Sequence, residues 1–324
     1  MKYGNVAGVK KPVSRIVQGC MMIGDKDRQE WSNELLDAAF SAGITSFDHA
    51  HGYGGGACER SIGNWMRERG NRENVMILDK GCHPHGGEKR VRPEIIESDI
   101  ADSLERLNTE YIDLWLFHRD DPEKPVGPLV ETLNKMVDSG KIHAFGGSNW
   151  TFERIEEANE YAEKHSLMPF AASSPNFSLA AQIDSPWGSD CITVSGPSQE
   201  KARAWYGERD FPVFSWSSLA RGFFSGRLTR ANLDQVKGEF EDHTIRCYVC
   251  EENLTRLDRA EELGREKGLS VPQIALSYVQ NYPMNVFSLV GAHSGEEINA
   301  NIKALDTTLT EEEMAWLDLK RDSR

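Results

Sequence analysis

Eight short apolar runs, spread along the whole chain and separated by helix-like stretches, constrain the fold more than any other feature. They lie at 15–19 (RIVQG), 44–48 (ITSFD), 75–80 (VMILDK), 112–117 (IDLWLF), 142–147 (IHAFGG), 170–174 (FAASS), 213–216 (VFSW) and 286–290 (VFSLV). Several are continuously apolar, as strands buried on both faces are. Between them, apolar residues recur at helical spacing. One stripe is Leu35, Ala38, Ala39 and Ala42, and another is Ile95, Ile96, Ile100, Leu104 and Leu107. A third, Leu129, Leu133, Met136 and Val137, stops at Gly140. Pro93 and Pro272 suit first helical turns, where a missing N–H costs nothing. Strands alternating with helices predict an α/β fold, a single (β/α)8 TIM barrel over 1–324 with its active site on the C-terminal rim of the strands. An open dinucleotide-binding sheet would carry Gly-x-Gly-x-x-Gly after its first strand. Here that strand runs into Gly19-Cys20-Met21-Met22, and the Gly54-Gly55-Gly56 run follows the second strand without the spacing.

Four polar residues stand at or just beyond three successive runs: Asp48, Tyr53, Lys80 and His118. A phenol is a poor acid at neutral pH, with an ordinary pKa of about 10. A neighbouring ammonium favours the phenolate and lowers that value. A carboxylate fixes the lysine, and a histidine can bond a substrate oxygen or assist proton transfer. Any one of these residues alone reads as part of a buried polar network. All four at strand ends read as chemistry.

Across essentially its whole length the chain resembles the aldo-keto reductases. The resemblance rests on FDHAHGYGGGACERSIG (47–63), ILDKG (77–81), YIDLWLFHRDDP (111–122), GKIHAFGGSNW (140–150), SWSSLARGFFSGR (215–227) and SLVGAHSGEEINANIKAL (288–305). It implies a barrel that binds NAD(P)(H) without a Rossmann domain, and a small carbonyl or alcohol substrate. Tyr53 would be the general acid in reduction, tuned by Lys80 and Asp48, with His118 orienting the carbonyl. The resemblance assigns the nicotinamide carboxamide to Ser148 and Asn149, and its ring to Trp216. It assigns the pyrophosphate to Ser217, Leu219, Arg221, Gly222 and Arg227. Gly291, Ala292, His293, Ser294, Glu297 and Asn301 fall to the adenosine end, and Gly19, Cys20, Met21 and Asp48 to the first-strand contact. Three positions depart from the family: Ser174 stands for the usual Gln at the carboxamide, Glu297 for Arg or Gln near the adenosine 2′-phosphate, and Ala300 for an acidic residue. NADP(H) is implied, with Arg227 and His293 in support. Glu297 leaves room for NAD(H), because a carboxylate repels a phosphate and accepts from ribose hydroxyls.

The rim mixes polar and aromatic candidates for substrate contact: His51, His83, His85, Arg119, Trp150 and Trp187, with His49 beside them. They suit a sugar, a polyol or an aromatic aldehyde. Residues 178–210 make a loop long enough to be expected over the active site, and 229–250 make a second polar excursion. A metal-dependent hydrolase is the rival enzyme, using His49, His51, His83 and His85 as ligands. A cofactor-sensing regulatory subunit with little turnover is the rival without catalysis. Six cysteines in 324 residues make no disulfide framework, and Cys247-x-x-Cys250 with His243 lacks a second pair, so no metal is expected. A net charge of −14 argues against nucleic acid. No run approaches a membrane span, and MKYGNVAGVKKPVSR has no signal-peptide core. The expected setting is the cytosol. Oligomers are possible.

Overall fold

The computed structural model describes residues 1–24, 28–188 and 190–324. The chain opens with β1 (Tyr3–Gly4) and β2 (Val13–Ser14), paired antiparallel. Eight parallel strands follow: β3 (Ile16–Gly19), β4 (Ser46–Asp48), β5 (Met76–Gly81), β6 (Ile112–Phe117), β7 (Ile142–Ser148), β8 (Ala172–Ser174), β9 (Val213–Ser215) and β10 (Val286–Val290). They close into a barrel in the order β10-β3-β4-β5-β6-β7-β8-β9. Every predicted run supplies one strand, and the closure rules out the open sheet. The three stripes lie on helices Gln29–Ser41, Pro93–Leu107 and Val126–Asp138, and Pro93 and Pro272 both fall in first turns. No helix among the described residues is long and apolar enough to cross a membrane.

Two cores follow from the two-residue period of a strand. Val17, Met76, Leu78, Leu114, Leu116, Ala144, Ala172, Phe214, Phe287 and Leu289 fill the barrel interior. Val6 and Val13 from the opening hairpin join them. Alternate residues, such as Ile77, Trp115, Phe117 and Phe145, pack outward under the helices. Counting on along the inward face, each strand ends with one residue at the C-terminal rim: Gly19, Asp48, Lys80, His118, Ser148, Ser174, Trp216 and Gly291. The strand period thus selects the residues of the rim. Gly146, one step below Ser148, has no room for a side chain, because a Cβ there would stand 2.0 Å from the Ala172 carbonyl oxygen.

Candidate active site

A cavity of about 420 Å³ opens at this rim. Its wall includes Gly19, Met21, Asp48, Tyr53, Lys80, His83, His118, Arg119, Ser148, Asn149, Trp187, Trp216, Ser217, Arg221 and Gly291. Lys80 Nζ donates to Asp48 Oδ1 at 2.5 Å and to the His49 carbonyl at 2.7 Å. The same ammonium lies 5.1 Å from the centre of the Tyr53 ring. Tyr53 reaches the cavity from the short turn Tyr53–Gly56, whose left-handed Gly54 and Gly55 bend the chain back toward the barrel. The His118 ring meets Tyr53 edge-on at 5.6 Å and His83 at 4.6 Å.

Burial sets the protonation states here. It works against the Lys80 ammonium, but Asp48, then Tyr53 and Asp79, outweigh it and hold Lys80 above its ordinary value. Burial raises the Asp48 carboxyl despite Lys80. Tyr53 was expected to be lowered by Lys80. Instead burial wins and Tyr53 is raised, with Lys80 pulling only partly back. Burial, then Lys80, His83 and Arg119, push His118 well below its usual range. The site therefore presents a protonated phenol and a neutral imidazole.

The cofactor positions fit a nicotinamide dinucleotide on what they leave unsatisfied. Ser148 Oγ donates to the Ser174 carbonyl at 2.9 Å, and Asn149 Nδ2 donates to the His118 carbonyl at 3.1 Å. Beside them Ser174 Oγ is buried with no partner among the described residues, as are Trp216 Nε1 and Arg221 Nε. The turn after β9 holds Ser217, Ala220, Arg221 and Gly222 at positive φ, a strained backbone of the kind kept at ligand sites. Arg221 pairs there with Glu241. Cys20 is fully buried, with its thiol 3.4 Å from the Gln18 carbonyl. Leu219, Gly222, Arg227, His293, Ser294, Glu297 and Asn301 lie outside the cavity wall. Arg227 covers the Phe240 ring at 4.7 Å. Glu297 Oε2 accepts from the His293 N–H at 2.8 Å, while Ser294 caps the helix Gly295–Lys303 by accepting from the Glu297 N–H. The exposed Glu297 therefore works as part of a helix start.

Of the substrate candidates, His83, Arg119 and Trp187 line the cavity. The other three do not. Trp150 is fully buried, stacked 5.0 Å from Phe117 on the outward side of the barrel. His51 turns to Asp102 at 3.2 Å, under the helix Pro93–Leu107. His85 sits exposed in a tight turn bridged to Glu88. His49 is fully buried behind the rim, and burial takes its pKa down to about 3. These placements scatter the four histidines of the hydrolase reading. Among the described residues no three His, Cys, Asp or Glu side chains are grouped to hold a metal. Cys247 is buried in the helix Asp242–Tyr248, and Cys250 precedes the next helix. Within the expected loop over the site, Ser189 lies outside the described residues; Trp187 and Asp190 both line the cavity. Asp190, Met22, Pro84 and Gly52 were missed, since loop residues follow no period.

A closed parallel barrel with a Lys–Asp pair, a phenol and a neutral imidazole at its C-terminal rim defines a class of barrel oxidoreductases. The family model for the aldo/keto reductase family matches residues 15–322. The chain belongs to that family, whose members use nicotinamide cofactors. It is 26% identical over 315 residues to a probable voltage-gated potassium channel subunit beta of Oryza sativa, covering 94% of this chain and 92% of the relative. It is 26% identical over 347 residues to the versiconal hemiacetal acetate reductase of Aspergillus parasiticus, covering 98% and 96%. An aldo-keto reductase from Klebsiella pneumoniae, solved in complex with NADPH, superposes with a TM-score of 0.71 at 24% identity, over 100% of this chain and 97% of that one. A glycerol dehydrogenase from Gluconobacter oxydans gives 0.75 at 23%, over 97% and 93%.

Proposed function

We propose that this protein is a single-domain, cytosolic NAD(P)(H)-dependent oxidoreductase acting on a small carbonyl or alcohol. The observation that carries the reading is the rim set: Asp48, Lys80 and His118 from three adjacent strand ends, with Tyr53 beside them on one cavity. When bound, the nicotinamide supplies or accepts the hydride at the carbonyl carbon. Tyr53, held protonated by burial, gives its proton to the carbonyl oxygen in reduction. His118, neutral and nearly buried, orients that oxygen. Lys80 places a positive charge beside the phenol and stabilises the phenolate left behind, while Asp48 holds the ammonium at 2.5 Å. Ser148, Asn149 and Ser174 would hold the carboxamide, Trp216 the ring and Arg221 the pyrophosphate. From the segment 178–210, Trp187 and Asp190 line the cavity and would meet the substrate. NADP(H) is the proposed partner, with NAD(H) the alternative.

Tyr53→Phe is expected to cut turnover by about 10²–10⁴-fold while the Trp fluorescence quench on NADPH binding persists. Near-normal turnover in that variant would remove the proton-donor role. The likeness to a potassium channel subunit favours a second reading, a cofactor-sensing subunit with little turnover. A stopped-flow trace of nucleotide oxidation with excess aldehyde separates the two. Tight binding with negligible hydride transfer would favour the sensor.

A further inference from the structure

Once the residues assigned to the cofactor are set aside, a substrate meets Tyr53, His83, His118, Arg119, Trp187 and Asp190. Arg119 is the uncommon member. Its side chain is 5% exposed, beside the imidazole that orients the carbonyl. A guanidinium has five N–H donors in a planar fork and, once desolvated, needs a counter-charge. This one is poorly served. Nη1 donates to the His118 carbonyl at 2.8 Å, and Nη2 reaches the weak acceptor Cys191 Sγ at 3.6 Å. Nε faces Asp190 at 3.4 Å, a single long contact to a carboxylate 39% exposed. Among the described residues, the other carboxylate on the cavity wall, Asp48, is engaged by Lys80. Asp190 belongs to the long loop, not to the barrel, so a ligand can displace it without disturbing a strand.

The geometry points to a substrate that carries a carboxylate, seated on the Arg119 fork in place of Asp190, with its aldehyde or ketone toward Tyr53 and His118. This rests on the reductase reading and narrows it. A planar carboxylate can take two parallel N–H donors, which Asp190 does not. In the reaction the carbonyl carbon gains the hydride, its oxygen gains the Tyr53 proton, and the carboxylate passes through unchanged.

The test compares 4-carboxybenzaldehyde with 4-nitrobenzaldehyde, which match in size and differ in charge, using NADPH and NADH. The wild-type protein is expected to favour the carboxylated aldehyde at least tenfold in kcat/KM. Arg119→Met should reduce that preference at least tenfold, chiefly through KM, and Arg119→Lys should restore part of it. Asp190→Asn, a mild loop change that tests the idea even if Arg119 variants fold poorly, should lower KM for the carboxylated aldehyde. Benzoate should inhibit reduction of the nitro compound, and less well in Arg119→Met. Reduction of the nitroaldehyde without preference for the carboxylate overturns this inference and leaves the reductase reading standing. Reduction of neither aldehyde with either nucleotide overturns both.

Discussion

Asp79 sits next to Lys80 in the chain yet faces the opposite way, because successive strand residues alternate. Lys80 points into the cavity, and Asp79 points out under the helices beside its register partner Trp115. Both Asp79 carboxylate oxygens are buried, with only the Ser103 hydroxyl and the Lys80 N–H near enough to favour the charged form, and among the described residues Trp115 Nε1 and both His49 ring nitrogens are buried without a partner. Burial, then the nearby Glu59, raises Asp79 well above its ordinary value. A carboxyl raised in the folded state supports folding fully below its unfolded pKa of about 4. That support is lost as pH climbs toward the folded value. Asp79→Asn, which needs no proton, should therefore raise Tm, and the gain should be larger at pH 8 than at pH 5. A gain independent of pH would mean that Asp79 is ionised in the folded protein. The same alternation explains which site residues were legible. Asp48, Lys80, His118, Ser148 and Trp216 fall on the inward register of strands visible in the sequence. Trp150, His51 and His85 lie past the strand ends, where no period says which way a side chain turns.

At the scale of elements, the eight barrel strands were legible because each is an apolar run between helical stripes. The β1–β2 hairpin was not, since two-residue strands show no alternation; Val6 and Val13 betray it only by packing inside the barrel. The helix Gly295–Lys303 gives the sharper lesson. Family likeness placed Glu297 opposite an adenosine phosphate, whereas the local pattern Ser294-x-x-Glu297 is also a helix-start signature. The structure shows Ser294 accepting from the Glu297 N–H at 3.2 Å, with Glu297 folded back on His293. Ser294→Ala is expected to cost about 1 kcal/mol of stability, read by urea denaturation. Glu297→Arg, which removes an acceptor and adds a cation, should raise affinity for NADPH relative to NADH. An unchanged ratio of the two affinities would confine Glu297 to its capping role.

For the whole molecule, the two excursions that interrupt the barrel pattern grip each other, next to the Trp187 and Asp190 that line the cavity. Arg246, on the helix Asp242–Tyr248, pairs with Asp184 and donates to the Ser185 carbonyl at 2.9 Å and the Pro186 carbonyl at 3.3 Å. Ile183 N–H donates to the Cys247 carbonyl at 2.9 Å. Arg221, held by Glu241, lies 4.6 Å over the Trp187 ring, which itself stands 5.6 Å from Trp216. Neither excursion has a repeat or a period, so the sequence showed their length and not their mutual grip. The clasp predicts how access is controlled. Arg246 holds three successive loop residues, and among the described residues none of its hydrogen-bond or ion-pair partners lies on the cavity wall, so Arg246→Ala should leave the barrel intact and free the loop. Amide hydrogen exchange should quicken around 183–187 while β4 to β7 stay protected. KM for aldehyde should rise more than kcat falls, since a loosened cover weakens substrate seating before it disturbs Tyr53. Unchanged exchange in the loop would show that its own packing, through buried Phe177, Leu179 and Ala180, holds it closed without Arg246.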